Sequence, residues 1–306
     1  MQNIYAFNCQ GLDANQRIVE KNMLQGIDQI YDLYIYLLNT LLIQKDIAQN
    51  KIEIAKTKNL PTQEDLNPNL KFVNNRILHF LSINNELQTY NANNSQLTWD
   101  IYDTYPNNIF KSLVESDLYK DYMANPNSSL TEDKEFITKF FIDFIADNDS
   151  LSDWFEGIQI YWADDLHIAN TMVYNTIQSF TAKSHENLRL FKVYKDDDDE
   201  QFVSDLFRRV LQHQSETKKI IGELAENWEL DRIAAIDLII LEMAITEFKY
   251  FPSIPTKVSI NEYIELAKNY STEKSRIFVN GILDKSLKKL KNENQINKFG
   301  RGLIEN

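Results

Sequence analysis

The sequence predicts an all-α fold, and three observations carry the prediction. Only 7 Gly and 6 Pro interrupt 306 residues. Leu, Ile, Lys, Glu and Asn fill the long stretches between them, and apolar side chains recur there at helical spacing. A chain of this length buries a real core, as one large domain or two modest ones.

The elements follow in order. The start, MQNIYAFNCQG, lacks the basic segment and apolar run of a signal peptide. Its single cysteine, Cys9, forms no internal disulfide and reads as a small packing residue, which suits a reducing, cytoplasmic setting. Residues 16–58 place Ile27, Ile30, Leu33, Tyr34, Leu37, Leu38 and Leu41 at helical spacing, so they read as a long amphipathic helix ending before Pro61. A polar link, NLPTQEDLNPNL, leads to a second helix over 70–91, and the Asn-rich NANNSQ after it is a loop. From 96 to 195 aromatics and acids accumulate. Helices near 108–123, 132–147 and 153–182 are separated there by ANPNSS and DNDSLSD.

The run Asp196 to Asp199 with Glu200 could suggest a metal site. Consecutive carboxylates do not converge on one ion without an ordered loop and further ligands, and acids suit the positive end of a starting helix. EQFVSDLFRRVLQHQSETKKIIGELAENW continues that helical series. LDRIAAIDLIILEMAITEF is apolar nearly all round, as expected of a helix central to the C-terminal bundle. Its core, 233–245, contains Asp237 and Glu242 and is too short and too charged to cross a bilayer. Pro252 and Pro255 end it. Ser259 and Glu262 then form a capping-box pattern for a helix over 260–270, and Thr272 or Ser271 opens the last helix, through LDKSLKKL.

Net charge is −13, which taken alone argues against nucleic acid. The average hides an asymmetry: residues 257–301 hold ten Lys/Arg against five acids, while the rest of the chain carries −18. A local basic stretch points to a localised anionic partner, or else to a solvated basic tail. Signs of catalysis are weak. His79, His167, His185 and His213 lack Cys, Asp or Glu at metal-ligand spacing. No P-loop, G-x-S-x-G, G-x-G-x-x-G or H-E-x-x-H occurs. Asp164 with Asp165, and Glu223 with Glu226, are the kind of pair that exposed helix faces produce by chance.

On the last helix Val279, Leu283, Leu287 and Leu290 fall on one inward stripe. Lys274, Phe278, Gly281, Lys285 and Lys289 share another face, being three, four and seven residues apart. Rings stack on unpaired bases and ammonium groups meet phosphates, so such a stripe suits single-stranded nucleic acid. The other reading packs Phe278 under a neighbouring helix and leaves the lysines solvated.

Residues 254–287, IPTKVSINEYIELAKNYSTEKSRIFVNGILDKSL, closely resemble the C-terminal signature of the NusB family. The motifs K-V-x-I-N-E, E-L-A-K and F-V-N-G-x-L-D occur in order and at family spacing. DRIAAIDLIILEMAITEF resembles the family's central helix, and residues 197–230 fit the helices before it. The resemblance implies an all-α domain of two helical subbundles without catalysis, metal or cofactor. It also implies binding to boxA-type RNA, pairing with the ribosomal protein that doubles as NusE, and action in the RNA polymerase antitermination complex on ribosomal RNA operons. Carried over by motif, Phe278 would be the RNA-side aromatic, with Lys274 and Arg276 beside it; Lys285 and Lys289 join them through the shared helical face. Asp237 and Glu242 would lie on the helix that meets NusE.

Two departures accompany the resemblance. QNIYAF resembles the family's first helix with its arginine-rich arm missing, which makes Tyr5 the RNA-side tyrosine; either the start is truncated or misassigned, or RNA binding loses several phosphate contacts. The chain is also about twice the ordinary small-domain length. The expected organisation is residues 1–11 as a remnant of the first helix, 12–195 as a helical insertion, 196–292 as the NusB-like core and 293–306 as a disordered basic tail. Longer NusB-like proteins of the Bacteroidetes group are similar in this respect. The acidity of the insertion suits protein contacts, or shielding of the basic face, better than RNA. The alternative function is a helical protein-interaction module that has kept the fold and lost RNA binding.

Overall fold

The computed structural model describes residues 1–11, 14–184, 186–225 and 230–303, and these contain helices and no strand. In chain order the helices are α1 Gln2–Gln10, α2 Gln16–Lys56, α3 Gln63–Leu66, α4 Arg76–Ser82, α5 Asn85–Asn93, α6 Thr104–Glu115 and α7 Asp117–Ala124. Then come α8 Leu130–Phe141, α9 Asp149–Ile158, α10 Trp162–Ser179, α11 Asp197–Leu224, α12 Ala235–Tyr250, α13 Thr256–Tyr270 and α14 Glu273–Asn292. Among the described residues, no helix is long and apolar enough to cross a membrane.

The chain divides into two compact units, Met1–Gln25 with Tyr194–Asn306, and Gly26–Val193. The first boundary lies inside α2, later than the expected residue 12. The reason is apolar: Val19 and Met23 belong to the same core as Leu206 and Phe207, whereas from Ile30 onward the helix contributes to the other core.

The Gly26–Val193 unit is built on α2, whose Leu33, Tyr34, Leu37, Leu38 and Leu41 are fully buried among Ile77, Leu78, Phe140, Phe155 and Val173. Tyr34 and Thr176 share a hydroxyl hydrogen bond of 2.6 Å. The helix expected over 70–91 is divided because Asn84 serves as a cap. Its Oδ1 accepts from the Leu87 N–H at 2.9 Å, satisfying a donor that a continuous helix would hold internally, and its Nδ2 donates to the Leu188 carbonyl at 2.7 Å. Ser116 divides the 108–123 segment in the same way, accepting from the Tyr119 N–H. After α8 the chain widens into a π turn over Ile142–Ala146, closed by the Asp147 N–H on the Ile142 carbonyl at 3.1 Å.

In the other unit α12 is the central element and packs against α1, α11, α13 and α14, as its all-round apolar character requires. Asp196 caps α11, its side chain accepting from the Asp199 N–H, and Asp197 to Glu200 occupy the first turn. The acidic run is therefore a helix start. Helix α13 begins at Thr256 after Pro255 and uses no Ser259–Glu262 box. Pro255 already has a suitable φ of −62°, and Ser259, one turn inside, is buried and donates back to the Pro255 carbonyl at 3.3 Å. Thr272 does cap α14, accepting from the Ser275 N–H at 3.2 Å.

Residues 293–303, expected as part of a disordered tail, fold back on the end of α12. Lys298 Nζ donates to the carbonyls of Phe251 at 2.8 Å and Glu247 at 3.3 Å. The Phe299 N–H donates to the Pro252 carbonyl at 3.1 Å. The Glu247 carbonyl already accepts from the Phe251 N–H, and the Phe251 carbonyl lies just past the helix; a helix end favours a cation, and Lys298 supplies donor and charge. Gly302 is buried so close to Pro252 that an added Cβ would lie 2.0 Å from its carbonyl oxygen.

Candidate nucleic-acid interface

The site is assembled where the start of α14 meets the start of α12. The Thr272 cap fixes the first turn of α14, and Val279, Leu283 and Leu290 turn fully inward. That orientation leaves Phe278 half-buried, packed against the core on one side. On the other it lines a pocket of about 240 Å³ with Lys274, Ser275, Arg232, Ile233 and Asp237. Phe278 is thus packed on one side and open to the pocket on the other. Lys274 is exposed and makes no ion pair among the described residues. A Cβ on Gly281 would meet nothing within 4 Å, so the strip beyond Phe278 is open.

The remaining cations differ from a free basic stripe. Lys289 pairs with Glu223 and lies 3.8 Å from Glu293, and Glu223 raises the Lys289 pKa while its own is lowered by that lysine. Lys285 Nζ reaches the Leu224 carbonyl at 3.5 Å. Both lysines thus turn toward the C-terminal end of α11, where a helix favours positive charge. Arg276 lies 3.9 Å from Glu273 on its own helix. Lys274 and Phe278, with Asp237, expected on the partner side, are therefore the expected site residues that the fold brings into one pocket.

Tyr5 lies on α1, which is anchored by the buried Ile4, and is 44% exposed. Its hydroxyl is beside the Cys9 thiol, which raises its pKa. Cys9 is exposed, contrary to the packing role expected of it; the two residues share the outer face of α1, being one turn apart. Neither lines the Phe278 pocket.

The two acids of α12 have different surroundings. Asp237, nearly fully buried, accepts a hydrogen bond from the Ser271 hydroxyl and forms part of the pocket wall. Glu242 is 0% exposed, so it presents no surface to a partner. Gln214 Nε2 donates to it at 3.2 Å and Lys218 Nζ lies 3.7 Å away. Burial raises its pKa, with Lys218 and Gln214 opposing. An all-apolar helix buries whatever lies in its middle turns, and Glu242 is in the middle of this one.

Arg232 and Ile277 were not singled out by the sequence. Arg232 lies in a segment without periodicity, and only the fold brings it to Phe278. Ile277 is 66% exposed next to Phe278, and its distance from the Val279 stripe on the helical wheel was the available signal. Of the other candidates, Asp164 and Asp165 are in the first turn of α10, where burial and then Asp164 raise Asp165 to about 6. His213 stacks on Tyr250 at 4.1 Å. His185 and Glu226 lie outside the described residues.

Residues 163–288 match the model of the NusB family. A protein of Salinibacter ruber named transcription antitermination protein NusB is 50% identical over 103 residues, which cover 34% of this chain and 64% of that protein. One of the same name from Chloroherpeton thalassium is 44% identical over 104 residues, covering 34% of this chain and 49% of that protein. A third, from Myxococcus xanthus, is 45% identical over 91 residues, covering 30% and 65%. This chain thus spans about half to two thirds of the length of the curated relatives it matches. The chain carries a domain of the NusB family, with Lys274, Arg276, Phe278 and Lys285 inside the matched stretch.

Proposed function

We propose that this protein is a cytoplasmic, non-enzymatic transcription antitermination factor that binds single-stranded boxA-type RNA together with NusE, in the RNA polymerase antitermination complex. The observation that carries the reading is the 50% identity to a protein named for antitermination, over a stretch of 103 residues. The pocket holding Phe278, Lys274 and Arg232 supports it chemically. A half-exposed ring offers a stacking surface, and a nearby ammonium and guanidinium offer phosphate contacts. Asp237 and the adjoining surface of α12 are the NusE side in this reading. The insertion, residues 12–195 in the sequence and Gly26–Val193 as a compact unit, serves protein contacts. It holds thirteen Lys/Arg against twenty-three Asp/Glu over 26–193, a balance unfavourable to phosphate.

The test is fluorescence anisotropy with a labelled boxA-type oligonucleotide, with and without NusE, at two salt concentrations. The reading requires saturable binding that NusE tightens and salt weakens. Engagement of Lys285 and Lys289 by the end of α11 favours a second reading, a protein-interaction module without RNA affinity. NusE binding without any RNA binding would establish that alternative.

A further inference from the structure

A pocket of about 860 Å³ opens on the same unit, and none of its lining belongs to α14. Its floor is apolar. Phe202 and Phe251 meet edge to face at 5.2 Å, and Ile254 and Val258 extend that surface, with Val258 46% exposed. An exposed apolar floor rimmed by charge is characteristic of protein-interaction sites.

One wall is acidic. Asp198, Asp199 and Asp205 project from a single face of α11, and no ion pair among the described residues offsets them. Asp199 accepts from the Lys195 backbone N–H at 3.0 Å and Arg208 feels the charge of Asp205, but a wall of three carboxylates still repels a phosphate backbone and attracts Lys or Arg. Lys257 and Arg301 stand among the other lining residues, so the site is polarised rather than uniformly negative. Arg301 is held there by the segment that Lys298 and Phe299 fasten to the end of α12.

We propose that this groove docks a protein segment in which one large apolar side chain adjoins Lys or Arg. The apolar group lies on Phe202, Phe251 and Val258, and the cations face Asp198, Asp199 and Asp205. The site is separate from the Phe278 pocket, and its occupancy does not depend on RNA binding.

The experiment uses the full chain and the fluorescein-labelled peptide acetyl-Arg-Arg-Gly-Leu-Phe-Gly-amide. Controls replace both Arg by Glu, or Leu-Phe by Ala-Ala. The proposal expects saturable binding of the first peptide, with amide shifts at Gln201, Val258 and Asn261. The joint change Asp198→Asn, Asp199→Asn and Asp205→Asn should weaken it about tenfold, as should Val258→Glu, while Lys274→Ala leaves it unchanged. All of these positions are at least partly exposed, and circular dichroism verifies folding. Equal binding of the Glu peptide, binding unaffected by the variants, no saturation at millimolar protein, or a single-stranded RNA shifting the same amides would each overturn the proposal.

Discussion

Lys289 on α14 forms an ion pair with Glu223 in the last turn of α11. The same helix end receives Lys285 through the Leu224 carbonyl. These contacts divide a stripe that looks uniform in sequence into two parts with different surroundings. The half near Lys285 and Lys289 holds helices together, and the half near Lys274 and Phe278 faces a pocket. An ammonium already engaged with a carboxylate has less to gain from a phosphate.

Salt dependence separates the two halves. For single strands each phosphate contact contributes about 0.7 to the slope of log affinity against log salt. Lys274→Ala should flatten the slope by about that amount, and Lys289→Ala should flatten it by less. Anisotropy titrations across several salt concentrations measure both. Equal slopes for the two variants would remove the distinction.

Glu242 gives a prediction on stability. Its folded pKa is raised by burial above the ordinary 4.5. The neutral form is therefore the favoured one in the fold, and the group's contribution, present below that ordinary value, is lost as pH rises through the raised one. Glu242→Gln keeps an acceptor for Gln214 and removes the buried charge. Its Tm at pH 7 should equal or exceed that of the wild type, with a shallower decline above pH 4.5 in calorimetry. Glu247, also raised by burial, keeps part of the decline in place.

Lys298 gives the opposite sign. Burial lowers its pKa from 10.5 to about 8, so between these values the unfolded chain holds the extra proton and folding is favoured as pH rises. Hydrogen exchange over 296–303, corrected for intrinsic rate, should be slower at pH 9.5 than at pH 7. Lys298→Met should abolish the difference and expose the segment to proteases. Gly302→Val should do the latter alone, because its side chain cannot fit beside the Pro252 carbonyl.

Much of the fold was legible because helical periodicity and caps are local. The long α2, the all-apolar α12 and the Thr272 cap of α14 follow from residues within a few turns of one another. The breaks at Asn84 and Ser116 were not legible. Asn84 inside an apolar pattern becomes a cap because a distant group, the Leu188 carbonyl, takes its remaining hydrogen bond, while Ser116 bonds only within its own turns, to the Leu113 carbonyl and the Tyr119 N–H, a choice that helical periodicity does not reveal. The same limit applies at the site. The face shared by Lys274 and Phe278 was visible on a helical wheel. The end of α11 beside Lys289, the burial of Glu242, and Arg232 at the pocket all depend on which helices become neighbours.

The central claim is that Phe278 stacks on an RNA base, and the affinity of the chain with NusE for boxA-type RNA tests it most directly. A base on an aromatic ring is worth about 1–3 kcal/mol, or roughly 5- to 150-fold in affinity. Phe278→Leu, which keeps an apolar group against the core, and Phe278→Ala should both weaken binding within that range, and Phe278→Tyr should retain it. All three must first show wild-type circular dichroism. If the folded Leu and Ala variants bind the RNA as tightly as the wild type, Phe278 is a packing residue and the account of this site is wrong.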